Sequence, residues 1–230
     1  MNYRIRNAGK TLELYVYDYI GGWLGGITPQ MIANDLKESG KIDVINLRIN
    51  SPGGDVFDGI TIYNLLKRHP ARVEVDIDGL CGSIATIIAM AGDHVRMAQN
   101  ATFMVHEPSS GAFGTAEDMR KQADVLDQAK ESLLDTYIAK TGGNRGHLSE
   151  LMAAESWLRA SDAREEGFVD EVTDELEMAA CSNFDLSKFK NVPKQLAASM
   201  AQPGKPNLGS VLARFEAVSK RANHLRVISQ

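Results

Sequence analysis

Ser83 ends the stretch Gly79-Leu80-Cys81-Gly82-Ser83, which follows the alternating Val73, Val75 and Ile77 and leads into the apolar run from Ile84 to Ala91. A serine between a strand and a helix faces the unpaired N–H groups of the first helical turn, a setting suited to acyl transfer. Taken alone, such a serine more often simply caps the helix. Ala85 stands where a Gly-x-Ser-x-Gly elbow would need its second glycine, so Ser83 by itself leaves both roles open. A serine nucleophile needs a base. Of the five histidines, only His106 ends an expected strand, in Phe103-Met104-Val105-His106-Glu107-Pro108, while His69, His94, His147 and His224 have turn-like or terminal settings. The base in turn needs a carboxylate to hold its tautomer, and the chain has too many acids for composition to choose one. A second glycine-rich break, Asn50-Ser51-Pro52-Gly53-Gly54, closes the run Val44, Ile45, Leu47, Ile49. Glycine permits positive φ and close backbone approach, so this break is either a plain turn or a set of bare N–H groups aimed at a substrate.

The elements around these residues follow an α/β pattern from about residue 11 to 172. Leu12, Leu14 and Val16 alternate with polar neighbours as a half-buried strand does, and Thr28-Pro29 opens a helix carrying Ile32 and Leu36. A strand over 42–49, a helix through Val56, Ile60 and Tyr63 that stops at Pro70, and a strand through Val73 to Ile77 make one crossover unit. A second unit comprises helix 83–91 and strands 95–97 and 102–106. Met119, Leu126, Leu133, Tyr137 and Ile138 mark one helix between Thr115 and Thr141, longer than burial in a small domain needs. A short helix over 161–167 and a strand over 168–172 follow. Met90, Met97 and Met104 read as core filler.

At 230 residues and 43% hydrophobic content the chain has enough apolar material for one ordinary core with residues to spare. No signal-peptide pattern or membrane-length apolar run occurs, which leads us to expect a soluble, cytoplasmic protein. Cys81 and Cys181 are the only cysteines, and neither a disulfide nor a metal site is expected of them. The net charge of −5 hides an asymmetry: residues 185–230 hold eight lysines and arginines against Asp185 and Glu216, a net +6, and the remainder carries −11. Pro193, Pro203, Gly204 and Pro206 mark a linker, and Leu208, Val211, Leu212, Phe215 and Val218 mark an amphipathic helix. The organisation expected is a domain over 1–180, a linker over 181–207 and a basic helical tail over 208–230.

Four motifs in register carry a family resemblance: Ile49 to Gly54, Gly79 to Ser83 with its Ala-rich helix, Met104 to Pro108, and Ala163 to Val172. Together they resemble the Clp protease proteolytic subunit over about residues 12–172. The divergent N-terminus and basic extension are most similar to the phage and prophage branch, the Clp-like head maturation proteases. The resemblance implies the Clp/crotonase-type fold of repeated β-β-α units with a long handle helix. It also implies a serine endopeptidase with Ser83 as nucleophile, His106 as base and an acid at Glu155, in Ala154-Glu155-Ser156-Trp157-Leu158-Arg159-Ala160, with Asp162 and Asp170 as fallbacks. It carries the oxyanion hole to the backbone N–H groups of Gly54, Asp55 and Ile84, and a substrate-pairing strand to Gly111, Ala112 and Phe113. No cofactor, metal, membrane or nucleic acid is implied. The implied partners are polypeptide substrates, among them capsid or scaffold proteins, further copies in a heptameric ring or double ring, and an ATPase unfoldase.

Two other classes compete. A crotonase-type acyl-CoA enzyme would share the core and the paired N–H groups but use carboxylates without a Ser–His pair. A capsid assembly or scaffold protein would use the basic extension for docking, with proteolysis secondary. The small residues Ala197-Ala198-Ser199-Met200-Ala201 also resemble a processing site.

Overall fold

A computed structural model describes residues 3–8, 10–22, 25–175, 184–194 and 196 of the chain. Eight strands, β1 (Tyr3–Ala8), β2 (Thr11–Val16), β3 (Val44–Ser51), β4 (Arg72–Gly82), β5 (His94–Ala98), β6 (Thr102–Val105), β7 (Ser156–Arg159) and β8 (Glu171–Thr173), form one sheet. Its main path runs β1-β2-β3-β4-β5-β8. All ladders along it are parallel except β1 with β2. The long β4 divides its partners: residues 74–77 pair with β5 and residues 80–82 with β6, which then pairs antiparallel with β7. Parallel neighbours require crossovers, and α1 (Pro29–Glu38), α2 (Val56–Arg68) and α3 (Ile84–Ala89) supply them.

Local chemistry sets the helix ends. The Thr28 hydroxyl accepts from the Met31 N–H at 3.3 Å with Pro29 at the first helical position, and Asp55 caps α2 by accepting from Asp58 at 2.9 Å. The long helix α4 (Ala116–Thr141) opens on a capping box between Thr115 and Asp118 and closes on Gly142 in the left-handed region at φ 67°. Sequence reading did not anticipate β1, β7 or α5 (Arg145–Ala153), which is capped by Asn144. These pieces are short, and β7 has no clean alternation. The last helix, α6 (Ala160–Glu165), leads into β8.

One face of the sheet is apolar. Leu12, Leu14, Val16, Ile45, Leu47, Ile49, Val73, Val75 and Ile77 are all essentially buried there, joined by Met90 and Met97. The opposite face carries charge pairs, with Arg48 bound to Asp78 and Arg96 bound to Asp76 at 2.7 Å and Glu74 at 3.2 Å. Only the second half of α4 reaches the core, through Ala129, Leu133, Leu134 and Tyr137. Its first turns are exposed, leaving Met119 and Val125 partly open to solvent. Phe168 stacks on the Phe103 ring at a centroid distance of 5.1 Å and meets the Tyr137 ring edge-on at 5.3 Å.

The stretch assigned to the linker differs from its composition-based reading where it is described. Phe184, Leu186 and Phe189 are buried against Leu80 and Met104, with Tyr19, Trp157 and Val192 packed around them. Burying each such side chain is worth about 1.5–3 kcal/mol, enough to hold an otherwise polar segment down. The interleaved Asp185, Ser187, Lys188 and Lys190 hide this pattern in the sequence. The expected helix over 208–230 lies outside the described residues.

Phe168 is 1% exposed and central to the aromatic stack. Phe168→Ala is expected to lower unfolding free energy by about 3–5 kcal/mol, read from the denaturation midpoint in urea.

Candidate active site

The site is assembled by the ladder between β3 and β4. Ile49 pairs with Ile77, but two residues later Ser51 pairs with Cys81, so β4 has gained two residues over β3. The Asn50 side-chain carbonyl covers this irregularity by accepting from the Leu80 N–H at 2.9 Å. Buried Ser51 donates to the Asp18 carbonyl at 2.7 Å and accepts from the Gly53 N–H at 3.2 Å. Gly53, at φ 90°, then lies against the second turn: a Cβ added there would stand 2.6 Å from the Ser83 Cβ and 2.7 Å from the Gly82 carbonyl oxygen. Gly54, at φ 154°, leaves no more room, with an added Cβ 2.0 Å from the Ile20 carbonyl oxygen. These contacts require glycine on both conformational and steric grounds.

Ser83 itself has φ 55° and ψ −130°, a conformation rare for any residue other than glycine, and it makes no side-chain cap to α3. The capping role is therefore not the one it plays. Its N–H donates to the Met104 carbonyl at 2.8 Å, and its Oγ lies 2.7 Å from His106 Nε2. The Thr86 hydroxyl lies 2.5 Å from the Ser83 carbonyl and 2.6 Å from the Tyr137 hydroxyl, tying the strained turn to α4. Strain of about 1–3 kcal/mol at such a residue persists only when its surroundings fix it.

His106 follows β6 and is half-buried. Burial holds its pKa below the ordinary histidine value; Glu155 and Glu107 oppose that shift and Lys188 adds to it. Glu155 follows α5 at φ 50°, the other non-glycine residue at positive φ among the described residues. Its carboxylate accepts from the Asn191 N–H at 2.7 Å, the Lys190 N–H at 3.0 Å and the Trp157 indole N–H at 3.3 Å. Burial pushes the Glu155 carboxyl up, but these donors and His106 outweigh it, leaving the pKa below the usual carboxylate value. The fallback acids are engaged elsewhere. Asp162 pairs with Arg159 at 3.1 Å, and Asp170 holds Lys140 at 2.8 Å and the Val95 N–H at 2.7 Å.

The sequence-based oxyanion set is corrected at one position. The Asp55 N–H is used in fold closure, donating to the Ile20 carbonyl at 2.9 Å, and its carboxylate caps α2. The Gly54 and Ile84 N–H groups have no acceptor among the described residues, and Gly53 packs between the Ser83 turn and its own. Gly111, Ala112 and Phe113 lie in a non-strand segment between His106 and α4, with Phe113 99% exposed. Sequence reading missed Thr86, Tyr137, Trp157 and Phe189 as neighbours of the site. Phe189 had a detectable signal, since Phe184, Leu186 and Phe189 are apolar within a basic stretch.

Gly53→Ala adds a methyl group where 2.6 Å separates it from Ser83. We expect it to reduce Ser83 labelling by a fluorophosphonate at least about 100-fold with an unchanged far-ultraviolet circular dichroism spectrum, since angstrom-scale misplacement costs about that much.

The described helices include none long and apolar enough to cross a membrane. A solved ClpP1 variant from Listeria monocytogenes has the same fold, with a TM-score of 0.63 at 23% identity over 71% of this chain and 91% of that one. The ATP-dependent Clp protease proteolytic subunit 3 of Rhodococcus jostii is 34% identical over 134 residues, 57% of this chain and 66% of the relative. Subunit 1 of Salinibacter ruber is 30% identical over 142 residues, 61% of each chain. The chain thus spans less than two thirds of the length of these curated relatives. The family model for Clp protease matches residues 25–176, and with the fold and the glycine-lined serine turn already described, the chain belongs to the Clp protease family.

Proposed function

We propose that the protein is a serine endopeptidase in which Ser83, His106 and Glu155 form the triad. The observation that carries this reading is the 2.7 Å contact between Ser83 Oγ and His106 Nε2, made by a serine at positive φ beside two N–H groups without an acceptor among the described residues. Ser83 Oγ attacks the peptide carbonyl while His106 Nε2 takes its proton, and His106 then protonates the leaving amine. The tetrahedral oxygen is received by the Gly54 and Ile84 N–H groups; one such donor is typically worth about 100- to 1,000-fold in rate. Water, deprotonated by the same imidazole, releases the acyl group. Glu155 acts on the far side of the ring, stabilising the imidazolium that forms in each step.

The substrate is an extended polypeptide. The segment through Gly111, Ala112 and Phe113 is not part of the sheet, and a peptide can add to it as a strand. The Ser–His contact favours this reading over a crotonase-type acyl-CoA reaction, for which that contact has no use. Ring assembly draws support from the exposed first turns of α4, which a lone subunit leaves without a partner. The head-maturation role, with capsid or scaffold proteins as substrates, rests on the basic extension and on the resemblance to the phage branch.

Ser83→Ala is expected to lower hydrolysis of fluorescently labelled casein by on the order of a million-fold while native mass spectrometry shows the same oligomer. Activity retained in that variant would overturn the mechanism. Because the base must be neutral, activity falls as pH drops through the His106 pKa. With that pKa held down by burial, the acid-limb midpoint of kcat/KM is expected below about 6.5.

A further inference from the structure

We propose that the segment 184–192 is a working part of the active site, a strap whose Phe189 buttresses the His106 ring and whose Lys190 and Asn191 N–H groups orient Glu155. The proposal rests on the serine-peptidase reading. It assigns a task to residues that follow the family-matched region, which ends at residue 176.

The strap is anchored at both ends. Phe184 meets the Tyr19 ring edge-on at 5.6 Å, and the Tyr19 hydroxyl accepts from the Asp185 N–H at 2.9 Å. At the other end, the Asn191 side chain donates to the Ala154 carbonyl at 2.9 Å. Between these anchors, Phe189 stands edge-to-face with both His106, at 5.3 Å, and Trp157, at 5.6 Å. Lys188 keeps its ammonium 4.9 Å from the Phe189 ring and 5.9 Å from the Tyr19 ring. The strap therefore touches the base and the acid of the triad at once.

The pattern of contacts distinguishes support from blockade. Strap contacts go to His106 and Glu155, and the Ser83–His106 hydrogen bond is intact with the strap docked. No hydrogen bond from the described strap residues reaches Ser83, Gly53, Gly54 or Ile84. A carboxylate has about four lone-pair sites. Lys190, Asn191 and Trp157 occupy three on Glu155, leaving acceptor capacity for the imidazole. Glu155 needs such holding, because it sits at φ 50° on a side chain one methylene longer than aspartate. Phe189, Lys190 and Asn191 are thus positioning residues.

The ionisable groups facing His106 are Glu155 from the turn after α5, Lys188 from the strap and its neighbour Glu107. Removing the Phe189 ring exposes the imidazole and relieves the burial that lowers its pKa, so the acid limb of the rate profile moves to higher pH. The test uses the full-length chain with Phe189→Ala and Phe189→Leu, measuring hydrolysis of fluorescent casein and the rate of Ser83 labelling by a fluorophosphonate across pH. The alanine variant is expected to lose about tenfold or more in kcat with KM changed less than about twofold, and its acid limb moves up. Leucine keeps apolar cover at residue 189, so the second variant is expected to fall between wild type and alanine in both respects. If the alanine variant fails to fold, the leucine variant alone decides. Unchanged kinetics, or an unmoved acid limb, in the folded variants would overturn the proposal, as would a rise in rate, which would make the strap an inhibitor. A wild-type chain that neither hydrolyses casein nor takes the label would instead overturn the serine-peptidase reading and this inference with it.

Discussion

The close approach of the Gly53 backbone to Ser83 is the constraint on which the rest of the site depends. It exists because β4 gains two residues over β3 just before both strands end, and Asn50 satisfies the N–H that this irregularity frees. Without the slip the two glycine turns would not meet. With it, Ser83 is held at positive φ, its hydroxyl faces His106, and the Gly54 and Ile84 N–H groups find no acceptor among the described residues. Strain at Ser83 and the lack of acceptors at these N–H groups among the described residues are two results of one packing geometry.

That geometry is supported from beneath by α4. Thr86 connects the Ser83 carbonyl to the Tyr137 hydroxyl, and Tyr137 packs in turn on Phe168, which stacks on Phe103. The two halves of this helix differ. Its second half is tied to the turn that carries Ser83, while its first turns are exposed. The division is visible in its burial, with Ala129, Leu133, Leu134 and Tyr137 inside and Met119 and Val125 partly exposed.

Electrostatics at the site follow from where burial and hydrogen bonds fall. His106 is partly desolvated, which lowers its pKa and favours the neutral imidazole. Glu155 is partly desolvated too, but three N–H donors more than offset that effect and favour its ionised form. The same segment, 184–192, contributes to both, since it covers one group with Phe189 and donates to the other from its main chain.

The chain's own pattern determined the α/β alternation, the start of α1, the limits of α2 and α4, and the two glycine-rich breaks before Asp55 and Ser83. Those are local facts, set by period, caps and glycine placement. Ser83 and His106 are 23 residues apart, and only the pairing of β4 with β6 brings them together. Asp55 was misjudged because a backbone N–H has no signature in sequence; its bond to Ile20 depends on how residues 17–22 return to the sheet. Residues 184–189 were misjudged because charge and proline dominate a composition window, while three apolar side chains suffice once a matching groove exists at Leu80, Met104 and Trp157. Which residues are present and how they repeat is written in the chain. Which N–H is free, which carboxylate is held and which ring covers the imidazole depend on long-range pairing, and tertiary structure alone decided them.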